Sequence, residues 1–303
     1  MTLSWGDCKT PFRVASTAWI HSKCWLEGGT TWDARDVRLI YLATYPIKSC
    51  YRVEADSAEV EPWGLAGDRR WLVVDDDLKL ITQREWPALG RVRPTYVSQG
   101  LVLQAQGASS IEVPFPTGTT TDVRHFKQWI AATPAGGEVD RWLTEVIGRR
   151  AHLVHLDDPT RRRVDPEYSR PDDRVSFADG FPLLLTNMAS LDAVNDWLAE
   201  EGDAPVEMTR FRPNVVVGGA AAWAEDGWLG RRIVIGDVSF RVPKPCSRCV
   251  LTTIDPETGE KGRQPLRVLG QRRKFPGGIM FGVNLIPDGR GKIAIGDEVA
   301  VVD

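Results

Sequence analysis

The sequence lacks a hydrophobic run long enough to cross a membrane. Its longest stretch of small and apolar residues covers positions 215–224, whereas a spanning helix needs about 20 predominantly apolar residues. The first residues also lack a basic stretch followed by an apolar core, which is the pattern of a secretory signal. We therefore expect no membrane span and a cytoplasmic location.

Cysteine is scarce, and its count is odd. The 303 residues include five cysteines, at positions 8, 24, 50, 246 and 249. An odd number in a chain of this size argues against a disulfide framework, and disulfides are rare in the reducing cytosol. We therefore expect the cysteines to be reduced.

The chain has no large excess of either charge. The 38 Lys and Arg residues stand against 41 Asp and Glu residues, which gives a formal net charge of −3. Without a positive field we expect no nucleic-acid polymer as a partner. Hydrophobic residues make up 42% of the chain and charged residues 26%, which is typical of a soluble globular protein. The length predicts about two domains.

Short β-rich runs dominate the first half of the chain. The run 37–45 ends at Pro46, and the runs 71–74 and 78–82 flank three aspartates in the pattern of a hairpin. A helix is predicted next, because Val139, Leu143 and Ile147 share one apolar face with neighbours at helical spacing. Gly148 follows it at the usual position of a left-handed cap. We read the first half as a small β-barrel or sandwich closed by this helix.

Strands also dominate the second half. A helix is predicted over 190–201, with Asn187 or Ser190 as its cap. The sequence Ile-Val-Ile-Gly-Asp at 233–237 recurs as Ile-Ala-Ile-Gly-Asp at 293–297. Because glycine tolerates the positive φ of tight turns, the repeat predicts two equivalent hairpins in a compact β-barrel. The overall prediction is a mostly β (α+β) fold of two barrel-like domains with a few packing helices and a site between them.

A charged segment separates the two halves. Residues 157–180 hold twelve charged residues and three prolines, a density that cannot enter a core unpaired. We interpret it as a solvated connection; the alternative is a loop over a polar site. The predicted division is an irregular extension over 1–36, a first domain over 37–156 and a second domain over 157–303.

The pair Cys246-Ser-Arg-Cys249 leaves several interpretations open. A structural zinc site needs four ligands, and the four histidines lie far upstream. A thioredoxin-like pair opens a helix, whereas residues 250–254 are predicted to form a strand. Two buried structural cysteines remain possible. A thiolate bound to a soft metal is the last option, with Arg248 and Lys244 lowering the thiol pKa.

Basic and hydroxyl side chains recur at the predicted strand ends. Lys48-Ser49 ends the first strong strand, Arg69 precedes the next, and Arg212 and Asn214 lead into the run 215–217. Guanidinium and ammonium groups suit phosphate oxygens. One such residue alone is a weak indication of a phosphate site. The order of these residues along the chain is the stronger indication.

These motifs, in this order, resemble a known family. Tyr45-Pro-Ile-Lys-Ser49, Gly67-Asp-Arg-Arg-Trp71 and Thr82-Gln-Arg84 resemble the β-barrel domain that precedes a MOSC domain. Arg210-Phe-Arg-Pro-Asn214, Pro245-Cys-Ser-Arg-Cys249 and Phe281-Gly-Val-Asn284 resemble the MOSC domain itself. The combination is similar to the YcbX-type proteins and the mitochondrial amidoxime reducing component, over about residues 37–303.

The resemblance implies an oxidoreductase that uses the molybdenum cofactor, Mo-molybdopterin. It implies that one cysteine thiolate binds molybdenum, and by position this is Cys249, with Cys246 as a neighbour. Gly180 and Phe181 replace hydroxyl residues found in some members, so the resemblance implies backbone contacts there. The positions that it assigns to cofactor binding are Lys48, Ser49, Arg69, Gly180, Phe181, Arg212, Asn214, Ser247 and Arg248.

The resemblance also implies partners. The substrates are N-hydroxylated small molecules such as hydroxylamines, amidoximes and hydroxylated purines. No iron–sulfur cysteine spacing occurs in the sequence, so we expect electrons from a separate protein, ferredoxin-like or b-type-cytochrome-like, with its reductase. Sulfur transfer through a MOSC cysteine and reversible carriage of the cofactor are the alternative functions.

Overall fold

The computed structural model describes residues 36–302. The predicted extension over 1–36 therefore lies outside the described residues, except for Asp36. Cys8 and Cys24 also lie outside them. Among the described residues, no helix is both long and apolar enough to span a bilayer.

Eleven strands and one helix lie between residues 36 and 156. In chain order they are β1 (Arg38–Thr44), β2 (Val53–Glu54), β3 (Ser57–Glu61), β4 (Gly64–Leu65), β5 (Trp71–Val74), β6 (Arg93–Val97), β7 (Gly100–Gln104), β8 (Ile111–Pro114), β9 (Thr121–His125), β10 (Gln128–Pro134), α1 (Gly137–Ile147) and β11 (His152–His155).

The described residues after 156 add nine strands and two helices. They are β12 (Leu183–Asn187), α2 (Met188–Glu200), β13 (Val215–Gly218), β14 (Arg232–Ile235), β15 (Val238–Arg241), β16 (Pro245–Ser247), α3 (Leu266–Arg272), β17 (Lys274–Phe275), β18 (Gly278–Pro287), β19 (Gly291–Ala294) and β20 (Val299–Val302). The mostly β prediction is confirmed, although the sequence patterns did not predict α3.

The largest sheet joins both halves of the chain. Its order is β2-β1-β13-β12-β18-β15-β14-β20, and β16 and β17 pair with β18. The first strand thus pairs antiparallel with β13, with Arg38 opposite Gly218. Smaller sheets have the orders β5-β11-β10-β9, β19-β3-β4 and β6-β7-β8. Strands from one half therefore complete sheets of the other half.

Buried apolar side chains of the described residues form several clusters, two of them large. One lies on the large sheet and includes Leu39, Val217 and Phe240. The other packs Trp71 against α1 through Leu143. The predicted helix is confirmed, because its apolar stripe is buried and Gly148 ends it in the left-handed conformation at φ 67°. Burial of this stripe holds the helix against the first-half strands.

The predicted pair of equivalent hairpins is half right. β14 and β15 form the first hairpin around Gly236 and Asp237, with Ile235 opposite Val238. The second prediction is wrong, since β19 pairs with β3 and β20 pairs with β14. The backbone after β19 bonds to β1 instead, and the Gly296 N–H donates to the Leu39 carbonyl at 2.8 Å.

The strand predicted at residues 250–254 is also wrong. Val250–Thr253 forms a 3-10 helix that begins after Cys249. The hydroxyl of Thr252 donates to the Cys249 carbonyl at 3.0 Å, and that of Thr253 donates to the Val250 carbonyl at 2.8 Å. These local bonds compete with a strand ladder and favour the turn.

Candidate functional site

A cleft lies where the turns after β1 and β5 meet the segments before β12, β13 and β18. It encloses about 760 Å³, part of which is open to solvent. Eight of the ten residues assigned from the sequence line it, namely Lys48, Ser49, Arg69, Gly180, Phe181, Arg212, Asn214 and Arg248. Ser247 and Cys249 are not among its lining residues, whereas Cys246 is.

Lys48 is buried at the end of the turn that follows β1. Pro46 precedes it, and the Lys48 N–H bonds to the Trp71 carbonyl at 2.9 Å, which fixes the turn. The ammonium donates to the Phe177 carbonyl at 2.8 Å and to the carboxylate of Asp179. Burial lowers the pKa of Lys48 to about 8, against the opposing attraction of Asp179. The same ammonium holds the pKa of Asp179 below its usual range.

A second ion pair fixes Arg69 beside Lys48. The carboxylate of Asp68 is fully buried and accepts from Arg69 at 2.6 Å and from the Tyr45 N–H at 2.7 Å. Arg69 has φ 48°, the left-handed region that L residues rarely adopt. Its guanidinium also donates to the Asn214 side chain at 3.1 Å. The pair therefore holds a strained turn in place before any ligand binds.

Arg212 lines the cleft from the segment that precedes β13. It ends the 3-10 helix Met208–Phe211 in the left-handed conformation, at φ 55°. It donates to the Cys50 carbonyl at 2.8 Å and lies 4.2 Å from the centre of the Tyr45 ring. Burial lowers the pKa of Arg212 to about 10. The Tyr45 ring thus lies against both Arg212 and Arg69, the latter at 4.5 Å.

Asn214 joins the two sides of the cleft. Its side-chain oxygen accepts from the Leu184 N–H at 3.2 Å and from Arg69, and its amide donates to the Ala43 carbonyl at 3.1 Å. The side chain is 1% exposed. Its polar atoms are therefore engaged within the protein, and it positions Arg69.

The charged segment 157–180 ends in the cleft. Arg162 is buried and donates to the carbonyls of Ala178 at 2.5 Å and Asp179 at 2.9 Å. These bonds fix the turn that presents Gly180 and Phe181 to the cleft. The alternative interpretation of this segment, a loop over a polar site, is therefore confirmed for its last residues, and the solvated connection is wrong for them.

The two cysteines of the pair differ in position. Cys246 lies on β16 and lines the cleft, and Arg248 donates to its sulfur at 2.9 Å. Cys249 is the residue immediately before the 3-10 helix Val250–Thr253. Both are partly exposed, whereas burial raises the pKa of Cys50 to about 12. Cys50 is therefore unsuited to act as a thiolate.

The charges of the cleft favour an anionic ligand. Among residues 36–302, the arginines 84, 212 and 248 have no carboxylate within ion-pair distance, although all three line the cleft. The Nε of Arg248 is buried without a hydrogen-bond partner in the same part of the chain. A buried donor without a partner is costly, and phosphate oxygens would satisfy the guanidinium groups of Arg212 and Arg248.

The geometry also contains functional residues that the sequence patterns did not single out. Asp68 and Asp179 hold the two buried cations, and Tyr45 lies between two guanidinium groups. The only signal was their place within the motifs 45–49, 67–71 and 179–182. Their roles depend on partners distant in the chain.

Models of known protein families match both halves of the chain. The MOSC N-terminal beta barrel domain matches residues 36–150, and the MOSC domain matches residues 172–300. Mitochondrial amidoxime-reducing component 1 from Homo sapiens is 31% identical over 295 residues, covering 88% of this chain and 86% of that protein. Mitochondrial amidoxime reducing component 2 from Rattus norvegicus is 34% identical over 277 residues, with 84% and 80% covered.

A match to a solved structure covers most of the chain. The YUAD protein from Bacillus subtilis has 11% sequence identity and a TM-score of 0.38, and the match covers 88% of this chain and 94% of that one.

Proposed function

The chain belongs to the MOSC-domain family of the amidoxime-reducing components, a family of molybdenum-dependent reductases, and we propose that it reduces N-hydroxylated small molecules at the cleft described above. The family was predicted from the motifs, and that prediction is confirmed. The observation that carries the proposal is the set of arginines without carboxylate partners beside the Cys246–Cys249 segment.

The side chains of the cleft fit the molybdenum cofactor. Its phosphate and pterin require several donors in one place, and Arg212 and Arg248 have unsatisfied charge there. Lys48 and Ser49 line the same cleft. We propose that these four hold the cofactor, and that Arg69 and Asn214 fix their geometry. The backbone at Gly180 and Phe181 completes the site.

The bound cofactor would supply the two-electron exchange in which an N–OH group, two electrons and two protons give N–H and water. The chain's own residues bind and orient the reactants. Lys48 is charged at neutral pH because its pKa is about 8. The aromatic ring of Phe211 and the side chain of Leu251 line the cleft beside Cys246 and limit the access of water.

We propose Cys249 as the molybdenum ligand, as the family motif implies, with Ser247 and Arg248 beside it. A soft metal favours thiolate ligands. Cys246 is the alternative ligand, because it lines the cleft and accepts a hydrogen bond from Arg248.

The reaction can be tested directly with purified, cofactor-loaded protein. A chemical electron donor replaces the natural partner, and the substrates are benzamidoxime, an aliphatic hydroxylamine and an N-hydroxylated purine. We expect loss of the N-hydroxyl group and release of the reduced product. Protein from a host that cannot make the cofactor is the matched control. Loaded protein that reduces none of the three would contradict the proposal.

Sulfur transfer is a second candidate, favoured by the position of Cys246 in the cleft within reach of Arg248. It predicts a persulfide on Cys246 or Cys249, visible as one added sulfur atom in the mass of the intact protein. Reductase activity without any persulfide would remove this candidate. Tight cofactor binding without either signal would instead favour a carrier.

The electron donor and the location are further parts of the proposal. We propose a separate ferredoxin-like or b-type-cytochrome-like protein with its reductase, acting in the cytoplasm. Reconstitution with each donor class tests the first part, and fractionation of cells that express the tagged chain tests the second.

A further inference from the structure

An aromatic residue occupies a strained turn close to two cations of the cleft. In the hairpin of β9 and β10, His125 pairs with Gln128, so Phe126 and Lys127 form a two-residue turn. Phe126 has φ 54°. Two-residue hairpin turns place glycine where φ is positive, because a side chain there is unfavourable. A strained aromatic residue at such a turn suggests a function for its ring.

The ring of Phe126 packs against two cations that line the cleft, although Phe126 is not itself among the lining residues. Its centre is 5.4 Å from the Lys48 ammonium and 5.6 Å from the Arg84 guanidinium, and both of these residues line the cleft. The rings of Phe126 and His125 pack in a T-shaped contact with their centres 4.8 Å apart. The Phe126 side chain is nevertheless 41% exposed. Part of the ring is therefore open to solvent beside these two cations.

Arg84 adds a charge at the same place. Within residues 36–302 it has no carboxylate within ion-pair distance, although Asp179 attracts it from further away, and its guanidinium packs on the Phe126 ring. The neighbouring charge of Lys48 is already compensated by Asp179. Arg84 is therefore the cation beside the ring that can pair with an incoming anion. A guanidinium binds carboxylate or phosphate through two parallel hydrogen bonds.

We propose that Phe126 and Arg84 form a specificity subsite for substrates with a planar aromatic ring that carries an anionic group. The ring of the substrate packs against Phe126, and its anionic group pairs with Arg84. This inference rests on the proposed function for the reaction itself. It assigns to the turn a role that the cofactor-holding residues do not have.

The test compares three substrates in steady-state kinetics with a chemical electron donor. They are acetamidoxime, benzamidoxime and 4-carboxybenzamidoxime. Phe126→Gly is the main variant, because glycine suits the turn and the protein should fold at least as well. We expect kcat/KM to fall about fivefold to tenfold for both aromatic substrates and to stay unchanged for acetamidoxime. Thermal stability should be equal or higher.

Arg84→Gln separates the charge from the ring. We expect kcat/KM to fall about tenfold for 4-carboxybenzamidoxime alone. Molybdenum per chain should stay at the wild-type value, because Arg84 contacts substrate and not cofactor. Lys127→Ala, the other residue of the turn, is the matched control and should leave all three substrates unaffected.

A binding measurement keeps the inference separate from the reaction. Calorimetry with 4-carbamoylbenzoate, which has the ring and the carboxylate but no N-hydroxyl group, should give weaker binding in both variants. If the wild type binds this probe but reduces none of the substrates, the proposed function fails and the subsite stands. An equal loss for all three substrates in Phe126→Gly, or a loss of molybdenum in Arg84→Gln, would overturn the subsite.

Discussion

The two walls of the cleft both carry basic side chains, but they differ in how the charges are compensated. The first wall, Lys48 and Arg69, has each cation paired with a carboxylate, Asp179 or Asp68. The second wall, Arg212 and Arg248, bonds to backbone carbonyls and to one sulfur. Paired charges are held in position before a ligand binds. Guanidinium groups without a carboxylate carry an uncompensated desolvation penalty that an anion can offset.

This difference separates structural from ligand-binding roles among residues that look alike in the sequence. We infer that the first wall sets the shape of the site and that the second wall supplies most of the affinity for the cofactor. Changes in the first wall should therefore reduce stability, whereas changes in the second wall should reduce cofactor retention. The predictions below test this division.

The largest effect is expected at the cysteine pair beside the second wall. Cys249→Ser should lose nearly all bound molybdenum and lower activity by about 100-fold or more, because a hydroxyl is a poor substitute for a thiolate ligand. Cys246→Ser should retain most of both. Metal analysis and turnover of the two variants decide the matter, and the reverse result would identify Cys246 as the ligand.

The next largest effect is a loss of stability from the first wall. Asp68→Asn removes the charge that compensates buried Arg69, and we expect the free energy of unfolding in urea to fall by about 3–5 kcal/mol. Asp77→Asn breaks the exposed pair with Lys79 and should change the free energy of unfolding by less than about 1 kcal/mol. Equal effects of the two variants would mean that the Asp68–Arg69 pair does not hold the site.

Arg212→Ala should act in the opposite way. It removes charge-assisted hydrogen bonds to the cofactor, worth about 1.5–3 kcal/mol, so cofactor affinity should fall about 10-fold to 100-fold. The stability of the cofactor-free protein should stay the same or rise, because a buried charge is removed. Dialysis followed by pterin fluorescence measures the affinity. A fall in stability as large as that of Asp68→Asn would contradict the division into a structural first wall and a ligand-binding second wall.

The smallest effect concerns pH and Lys48. Burial lowers the pKa of Lys48 to about 8, so the ammonium is charged below that pH and increasingly neutral above it. Cofactor affinity should therefore fall as the pH rises from 7 to 9, by less than about tenfold. In Lys48→Arg the decline should move to higher pH, since a guanidinium keeps its proton. A flat profile in the wild type would show that Lys48 does not contact the phosphate.

Local sequence patterns predicted those parts of the fold that depend on near neighbours. The apolar stripe of α1 lies within eleven consecutive residues that Gly148 directly follows, and the turn at Gly236 joins adjacent strands. The same Ile-Gly-Asp sequence at Gly296 led to a wrong prediction of a hairpin. Its backbone pairs with Leu39, which lies at the other end of the described chain. The same pattern can form two structures when the available partner differs.

The candidate site was predictable to a similar degree. Motif order identified the eight predicted residues that line the cleft. It could not reveal that Asp68 compensates Arg69 whereas Arg212 lacks a carboxylate, because ion pairing is decided by tertiary packing. Cys246 is positioned by the pairing of β16 with β18. Cys249 precedes the 3-10 helix at 250–253, where threonine hydroxyls bond to the backbone and override the β propensity of the residues.

The most direct test of the account is the metal content of the wild-type protein. The protein is expressed in a host that fills other molybdenum enzymes, and molybdenum per chain is measured by mass spectrometry. The account predicts about one molybdenum per chain together with a phosphate-bearing pterin. Molybdenum-free protein from that host, with the fold intact, would contradict the claim that this cleft holds the cofactor.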